Sequence, residues 1–331
     1  MNLAPGGVPR VVIVGPTASG KTAVGIALAR IWGTEIVSAD SMQVYQSMDI
    51  GTAKPTPAEQ MQAKFHAIDA AAPDAPWTLA DFQALGNTAC DALAAQGRVP
   101  LGVGGTGLYV RALTTILDIP LTPPDAEFRA HWRALATEHG TAFVQRALSL
   151  VDPQAAARIH VNDLGRLVRA LEVFHATGVP LSEWHARNQA KTDRMNVALF
   201  GLGFADRRGL YERIERRVNR MLADGLADEV RGLLAMGYGA DLKPMQSLGY
   251  RQMAAMLAGE ITETDAVDEI KRETRHFARR QLIWFRADPR IRWLEAGDQS
   301  AEKLAQEIAS ALGSDAQTTQ KDRLPDEQTA A

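Results

Sequence analysis

The sequence predicts an open α/β fold, a mainly parallel sheet built around a phosphate-binding loop, with an all-helical domain inserted into it. Three observations carry that expectation. The short apolar run Val11-Val12-Ile13-Val14 reads as a strand buried on both faces. Glycine turns recur where such strands end, each followed by a helical pattern, as in parallel sheets. From 121 to 192 only helical patterns remain.

Taken in order, the first strand runs into Gly15-Pro16-Thr17-Ala18-Ser19-Gly20-Lys21-Thr22, and Ala23 to Ala29 reads as a helix packed on the sheet. Glu35-Ile36-Val37-Ser38 is a second strand, ending near Asp40. Ala80 to Ala95 is helical in pattern. Val99 to Val103 forms a third strand that delivers Gly104-Gly105-Thr106-Gly107 at its carboxyl end. Pro120-Leu121-Thr122-Pro123-Pro124 is a rigid exit from this core. Beyond it, Leu164, Leu167, Val168 and Leu171 fall at i, i+3, i+4 and i+7, an apolar helical stripe. Asn196 to Leu202 then reads as a strand, so the sheet resumes. Two more stripes follow, Ile214-Val218-Met221-Leu222 and Val267-Ile270-Thr274-Phe277, and Leu304, Ile308 and Leu312 mark a last helix. The expected organisation is a discontinuous core at 8–120 and 193–312, a helical insert at 121–192, and a polar, patternless, disordered tail at 313–331.

Composition narrows the classes. Of 331 residues, 46% are hydrophobic and 23% charged, an ordinary globular balance, and a net charge of −3 argues against a tail-driven nucleic-acid binder. Cys90 is the single cysteine, which excludes an internal disulfide or a thiolate metal cluster. No apolar stretch approaches membrane length and the start lacks signal-peptide character, so a cytoplasmic protein with no membrane partner is expected, read as a monomer.

The pattern G-x-x-x-x-G-K-T between a strand and a helix is the context that makes a P-loop credible, and it defines the core as P-loop NTPase-like. Amides from Gly15 to Gly20, Ala18 and Ser19 included, converge on phosphate oxygens at a helix amino terminus. Lys21 reaches a terminal phosphate, and Thr22 offers a hydroxyl to Mg²⁺. The loop alone recognises phosphate; ATP hydrolysis, kinase action and diphosphate departure all remain open. Asp40, at a strand end, is the carboxylate for the metal or its water.

A longer signature discriminates among these. Ser38-Ala39-Asp40-Ser41-Met42-Gln43-Val44-Tyr45-Gln46-Ser47-Met48-Asp49-Ile50-Gly51-Thr52-Ala53-Lys54-Pro55 closely resembles the signature of the tRNA dimethylallyltransferase family. The likeness continues through Gly104 to Tyr109, Asp152-Pro153, Asn162-Asp163, Arg169 to Glu172, Tyr211 to Val218 and Arg280 to Arg286. It departs from the family pattern at Gln46-Ser47, at Val161 and at the single His66.

The resemblance implies transfer of a dimethylallyl group from dimethylallyl diphosphate to N6 of the adenosine 3′ of the anticodon, in tRNAs reading codons that begin with U, with Mg²⁺ and without ATP consumption. It adds Thr17 and Arg213 to the diphosphate site and makes Asp40 the group that orients and deprotonates N6, the alternatives being a metal-water ligand or a turn cap. Thr106 is a second candidate for holding donor or acceptor. Gln43 and Asp49 lie in the signature as expected RNA contacts. Lys271, Arg272, Arg275, Arg279, Arg280, Arg286, Arg290 and Arg292, set against Glu273 and Asp288, form a basic segment suited to phosphate backbone; Gln281 lies within its matched motif. Arg158, Arg166 and Arg169 sit in the helical insert, which resembles the family's domain for the anticodon stem-loop.

Overall fold

The computed structural model describes residues 8–190 and 196–321. Six strands, β1 (Arg10–Val14), β2 (Ile36–Ser38), β3 (Phe65–His66), β4 (Leu101–Gly104), β5 (Val197–Gly203) and β6 (Ile291–Glu295), form one sheet in the order β3-β2-β4-β1-β5-β6. Every pairing is parallel. Register is fixed at the centre, where Val12 stands between Gly102 and Leu199. β1 is buried along its whole length, as its unbroken apolar run requires.

Two strands escape sequence reading. β3 has two residues, held at the sheet edge by the Glu35 carboxylate, which meets His66 Nε2 at 2.6 Å and Arg98 Nη1 at 2.9 Å. β6 is an edge strand whose middle residues Arg292 and Trp293 are exposed, so its apolar signal is broken.

Helices α1 (Lys21–Trp32), α2 (Pro57–Gln60), α3 (Leu79–Ala95) and α4 (Gly107–Thr114) connect the first strands. α1 turns Val24, Ile26, Leu28 and Ala29 into the core, and Gly25 lets it press on β4, since a Cβ there would lie 2.7 Å from Val103 Cγ2. α3 opens on a capping box between Thr78 and Asp81.

Contacts divide the chain into two compact units, Thr115–Asp193 and the remainder. The smaller holds α5 (Ala126–His139), α6 (Thr141–Val151), α7 (Pro153–Arg158), α8 (Leu164–Thr177) and α9 (Leu181–Ala190). It begins at Thr115 rather than Leu121, because the Asp118 amide and carbonyl both bond the Asn188 side chain, at 2.7 and 2.8 Å, and tie the approach to α9. The expected boundary at 192–193 lies outside the described residues.

The stripe foreseen on α8 is real: Leu167, Val168 and Leu171 pack with Val144, Leu148 and Ala156. Beside it Glu172, 2% exposed, accepts from the Asp125 amide (2.8 Å), from Arg129 (2.7 Å, twice) and from Arg169 (2.5 Å). Burial alone would raise its carboxyl, but the Arg129 and Arg169 bonds outweigh that and hold it below the ordinary value of 4.5. Glu172→Ala is therefore expected to cost this unit about 1–3 kcal/mol, read as a lowered denaturation midpoint, because the Asp125 amide and two partly exposed guanidinium groups lose their buried acceptor. In the unaltered protein the contribution is complete above pH 4.5 and fades as pH falls through the depressed folded value.

The remaining helices are α10 (Arg207–Ala223), α11 (Leu226–Ala235), α12 (Tyr250–Leu257), α13 (Glu263–Arg286) and α14 (Ala301–Lys321). α14 packs Leu304, Ala305 and Ile308 into the same core cluster as α1. It also corrects the expected tail: residues 313–321 continue the helix, since adding a turn to a formed helix needs no new nucleus. Residues 322–331 lie outside the described residues. Among the described residues, no helix is long and apolar enough to cross a membrane.

Candidate active site

In this strand order β1 connects outward to β2 on one side while β4 leads back across β1 to β5 on the other, so the loops at the carboxyl ends of the central strands diverge and leave a crevice. The loop after β1 fills its floor. Gly15 (φ 152°) and Gly20 (φ 88°) take backbone conformations open to glycine, and a Cβ on Gly15 would lie 2.8 Å from the Leu202 carbonyl. Ala18 is held at φ 63°, a strained position for a residue with a side chain. Ser19 is buried beneath the turn.

The loops after β2 and β4 are stitched together as the second wall. The Ala39 amide donates to the Val103 carbonyl (2.8 Å) and the Thr106 amide to the Ala39 carbonyl (3.1 Å). Thr106 Oγ1 accepts from the Ser41 amide at 3.0 Å, and Asp40 Oδ1 accepts from the Met42 amide at 2.9 Å. Gly104 permits this closeness, since a Cβ there would meet the Ala39 carbonyl oxygen at 2.1 Å.

Between the walls lies a cavity of about 450 Å³. Thr17, Lys21, Thr22, Asp40, Thr106 and Arg217 make its polar part; Val218, Met221, Leu248, Ile270 and Phe277 make an apolar one. Lys21 Nζ curls back to donate to the Pro16 carbonyl at 2.6 Å. Burial first, and then the neighbouring Arg217 charge, bring its ammonium down to about 7, against an opposing pull from Asp40. Burial likewise lowers Arg217, again opposed by Asp40. Lys21 and Arg217, crowded together beside Asp40 in a lining that also carries Arg251, Arg280 and Glu273, form a receptor for an anion of higher charge.

The chain matches the family model described as "IPP transferase" over residues 43–288, and one described as "Isopentenyl transferase" over 10–67. It is 48% identical over 290 residues to a tRNA dimethylallyltransferase of Syntrophobacter fumaroxidans, covering 88% of this chain and 84% of that one. The chain belongs to the tRNA dimethylallyltransferase family. A second member, tRNA dimethylallyltransferase 1 of Pelobacter propionicus, is 46% identical, covering 91% of this chain and 97% of that one. The crystal structure of the full-length tRNA isopentenylpyrophosphate transferase of Bacillus halodurans is 37% identical, superposes with a TM-score of 0.70, and covers 95% of this chain and 98% of that one.

Within this dimethylallyltransferase fold, Thr17, Lys21, Thr22, Asp40 and Thr106 come together around one cavity. Arg213 stands beside the loop, with Nη1 3.8 Å from where a Gly20 Cβ would be, while its Nη2 donates to the Gly297 carbonyl at 3.1 Å. Of Arg213 and Arg217, both on α10, it is Arg217, one turn further along, that lines the cavity. It lies within the segment 211–218 that resembles the family, four residues from Arg213.

Four residues expected at the RNA surface are otherwise engaged. Gln281 is buried, accepting from the Thr17 amide at 2.8 Å and donating to the Gly105 carbonyl at 2.9 Å, so it braces the loops after β1 and β4. Gln43 accepts from Ser38 Oγ (2.8 Å) and donates to the Ala53 carbonyl (3.0 Å). Asp49 pairs with the buried Lys54 at 2.5 Å, and Arg169 is committed to Glu172 and Thr122. In each case a short polar contact within the fold uses the group that sequence reading left free. Arg275 meets Glu215 at 3.2 Å; Arg279 and Arg280 are exposed, and Arg280 lies over Phe277 (5.9 Å to the ring centre) at the cavity. Arg158 and Arg166, in the helical unit, are also exposed.

Proposed function

We propose that this protein transfers a dimethylallyl group from dimethylallyl diphosphate to N6 of the adenosine next to the anticodon on its 3′ side, in tRNAs reading codons that begin with U. The protein is a prenyltransferase that acts on a tRNA adenosine near the anticodon, as its family membership establishes. The observation that best supports the finer reading is the single cavity that sets a cationic phosphate cradle against Asp40.

The core is P-loop NTPase-like in the use it makes of its loop, with the diphosphate of the prenyl donor in the place of a nucleotide's phosphates. The allylic C–O bond breaks and a C–N bond forms at N6. The loop amides, Lys21, Arg213 and Arg217 take up the charge that develops on the departing diphosphate, and Asp40 accepts the proton that N6 sheds. Thr106, bonded to Ser41, keeps the Asp40 turn in place. Enclosure of the base requires that it leave its stack, and the exposed Arg279 and Arg280 would hold the neighbouring backbone.

Among the described residues no cluster of three or more His, Cys, Asp or Glu side chains is grouped to hold a metal by itself. The Thr22 hydroxyl at the cavity suits Mg²⁺, which binds through few protein ligands together with substrate phosphates and water. Bound there, it would add positive charge against the diphosphate oxygens.

Purified protein given Mg²⁺, dimethylallyl diphosphate and unmodified tRNA is expected to yield prenylated adenosine and free diphosphate with no ATP present, read by mass analysis of the nucleosides. A strict requirement for ATP, or phosphate appearing on the acceptor, would replace this reading with a kinase.

Lys21 supplies a second prediction. The free protein holds it near 7, whereas a bound diphosphate restores the ammonium toward its ordinary 10.5. At about pH 8.5, where the diphosphate is already ionised, binding should take up about one proton, and affinity should fall as pH rises above 7. Titration calorimetry in two buffers of different ionisation heat measures the uptake. A value near zero would mean that Lys21 does not meet the diphosphate.

A further inference from the structure

The wall of the cavity that carries Asp40 continues through a turn at 48–53 that is strained and held from outside. Ser47 (φ 60°) and Ala53 (φ 47°) both occupy the left-handed region, and such strain persists only where surrounding contacts over-determine it. Lys54 grips one side, donating to the Tyr45 carbonyl at 2.8 Å and to Asp49 and Asp69 at 2.5 and 2.6 Å. On the other side stands a single carboxylate. Glu229, on α11, accepts from three consecutive amides, Asp49 (2.9 Å), Ile50 (2.7 Å) and Gly51 (3.2 Å), and from the Tyr250 hydroxyl (2.6 Å).

The Tyr250 ring lies flush on the Gly51 backbone; a Cβ at Gly51 would stand 2.4 Å from its Cε2. Burial and the Glu229 charge push the phenol far above its ordinary value, so it remains a donor. From this turn the bonding runs directly toward Asp40. The Thr52 and Ala53 carbonyls accept from Gln43 Nε2 at 3.4 and 3.0 Å, and Gln43 Oε1 accepts from Ser38 Oγ at 2.8 Å. Ser38 ends β2, two residues before Asp40. Gln43, Gly51, Thr52 and Ala53 all line the cavity, whereas Lys21, Thr22 and Arg217 of the phosphate cradle stand on α1 and α10.

We propose that Glu229 is a positioning residue for the acceptor: through the amides of 49–51 it fixes the wall against which the tRNA adenine is set for Asp40, and it leaves the donor site unaffected. This rests on the prenyl-transfer reading above. No other group can replace it simply, because a carboxylate has acceptors for all four donors, while a glutamine must turn an NH₂ toward some of them.

The test compares Glu229→Ala, Glu229→Gln and Tyr250→Phe with the unaltered full-length protein in steady-state transfer, varying tRNA at saturating dimethylallyl diphosphate and the reverse, with inorganic diphosphate affinity measured separately. Misplacement of an acceptor by about an ångström is expected to lower kcat/KM for tRNA by about 10–100-fold in Glu229→Ala, less in Glu229→Gln and least in Tyr250→Phe. KM for dimethylallyl diphosphate and affinity for inorganic diphosphate should stay near their starting values. Parallel loss on both substrates with a falling Tm would make Glu229 mere structural support and overturn the proposal, as would full activity on tRNA in Glu229→Ala. If Glu229→Ala does not fold, the same split in Glu229→Gln and Tyr250→Phe sustains the proposal, and its absence in both overturns it. Failure of the unaltered protein to transfer without ATP would instead defeat the functional reading itself.

Discussion

Replacing Asp40 by asparagine is expected to slow prenyl transfer by about 10²–10⁴-fold, with tRNA affinity close to that of the unaltered protein. Asparagine is the informative replacement. Its side-chain oxygen can still accept from the Met42 amide, the 2.9 Å bond that shapes the turn, so the wall survives while the group that takes the N6 proton is gone. The lost charge has a second consequence. Asp40 is what pulls Lys21 upward against burial and Arg217, so its removal drives Lys21 further toward the neutral amine. Donor binding by Asp40→Asn should accordingly begin to weaken at a lower pH than in the unaltered protein. Single-turnover rates at saturating donor, set beside equilibrium tRNA binding, separate the two effects. Equal losses in rate and in tRNA affinity would assign Asp40 to binding, and an unchanged rate would return it to capping its own turn.

The split between what could be read from the sequence and what could not follows from range. The loop at 15–22 and the central strands are local statements: an unbroken apolar run, a glycine turn and a helix opening each depend on neighbours in the chain. The helical insert was legible for the same reason, since the stripe on α8 needs no knowledge of its partners. What was illegible is how polar groups are partnered across the fold. Gln281 looks like a free amide until α13 is seen to lay it between two loops, 264 positions from Thr17 and 176 from Gly105. Glu229 looks like one more acidic residue on a helix, yet it meets amides some 180 positions away. Arg213 and Arg217 lie on the same face of α10, and periodicity cannot say which of two residues four apart reaches inward. The strained residues of the site could not be read either. Alanine at a positive φ, as at Ala18 and Ala53, contradicts local preference, and only the contacts around each explain why it is tolerated.

Arg217 leads to the second large effect. Arg217→Ala is expected to lower the single-turnover rate by about 10²–10³-fold, the loss associated with one preorganised donor to a developing anion. Arg217→Lys should restore part of it, because it returns the charge without the planar fork that can hold two phosphate oxygens together. A loss of rate alone would not distinguish a phosphate ligand from a support of α10. The distinguishing feature is Lys21, whose ammonium is lowered partly by the Arg217 charge. Without that charge Lys21 should rise, so Arg217→Ala should take up fewer protons when it binds diphosphate near neutral pH than the unaltered protein does. A structural defect gives no reason for proton uptake to move in that direction while binding persists. Loss of rate together with reduced uptake would place Arg217 on the diphosphate beside Lys21; loss of rate with uptake unchanged would mean that its charge acts through Asp40 on the acceptor side.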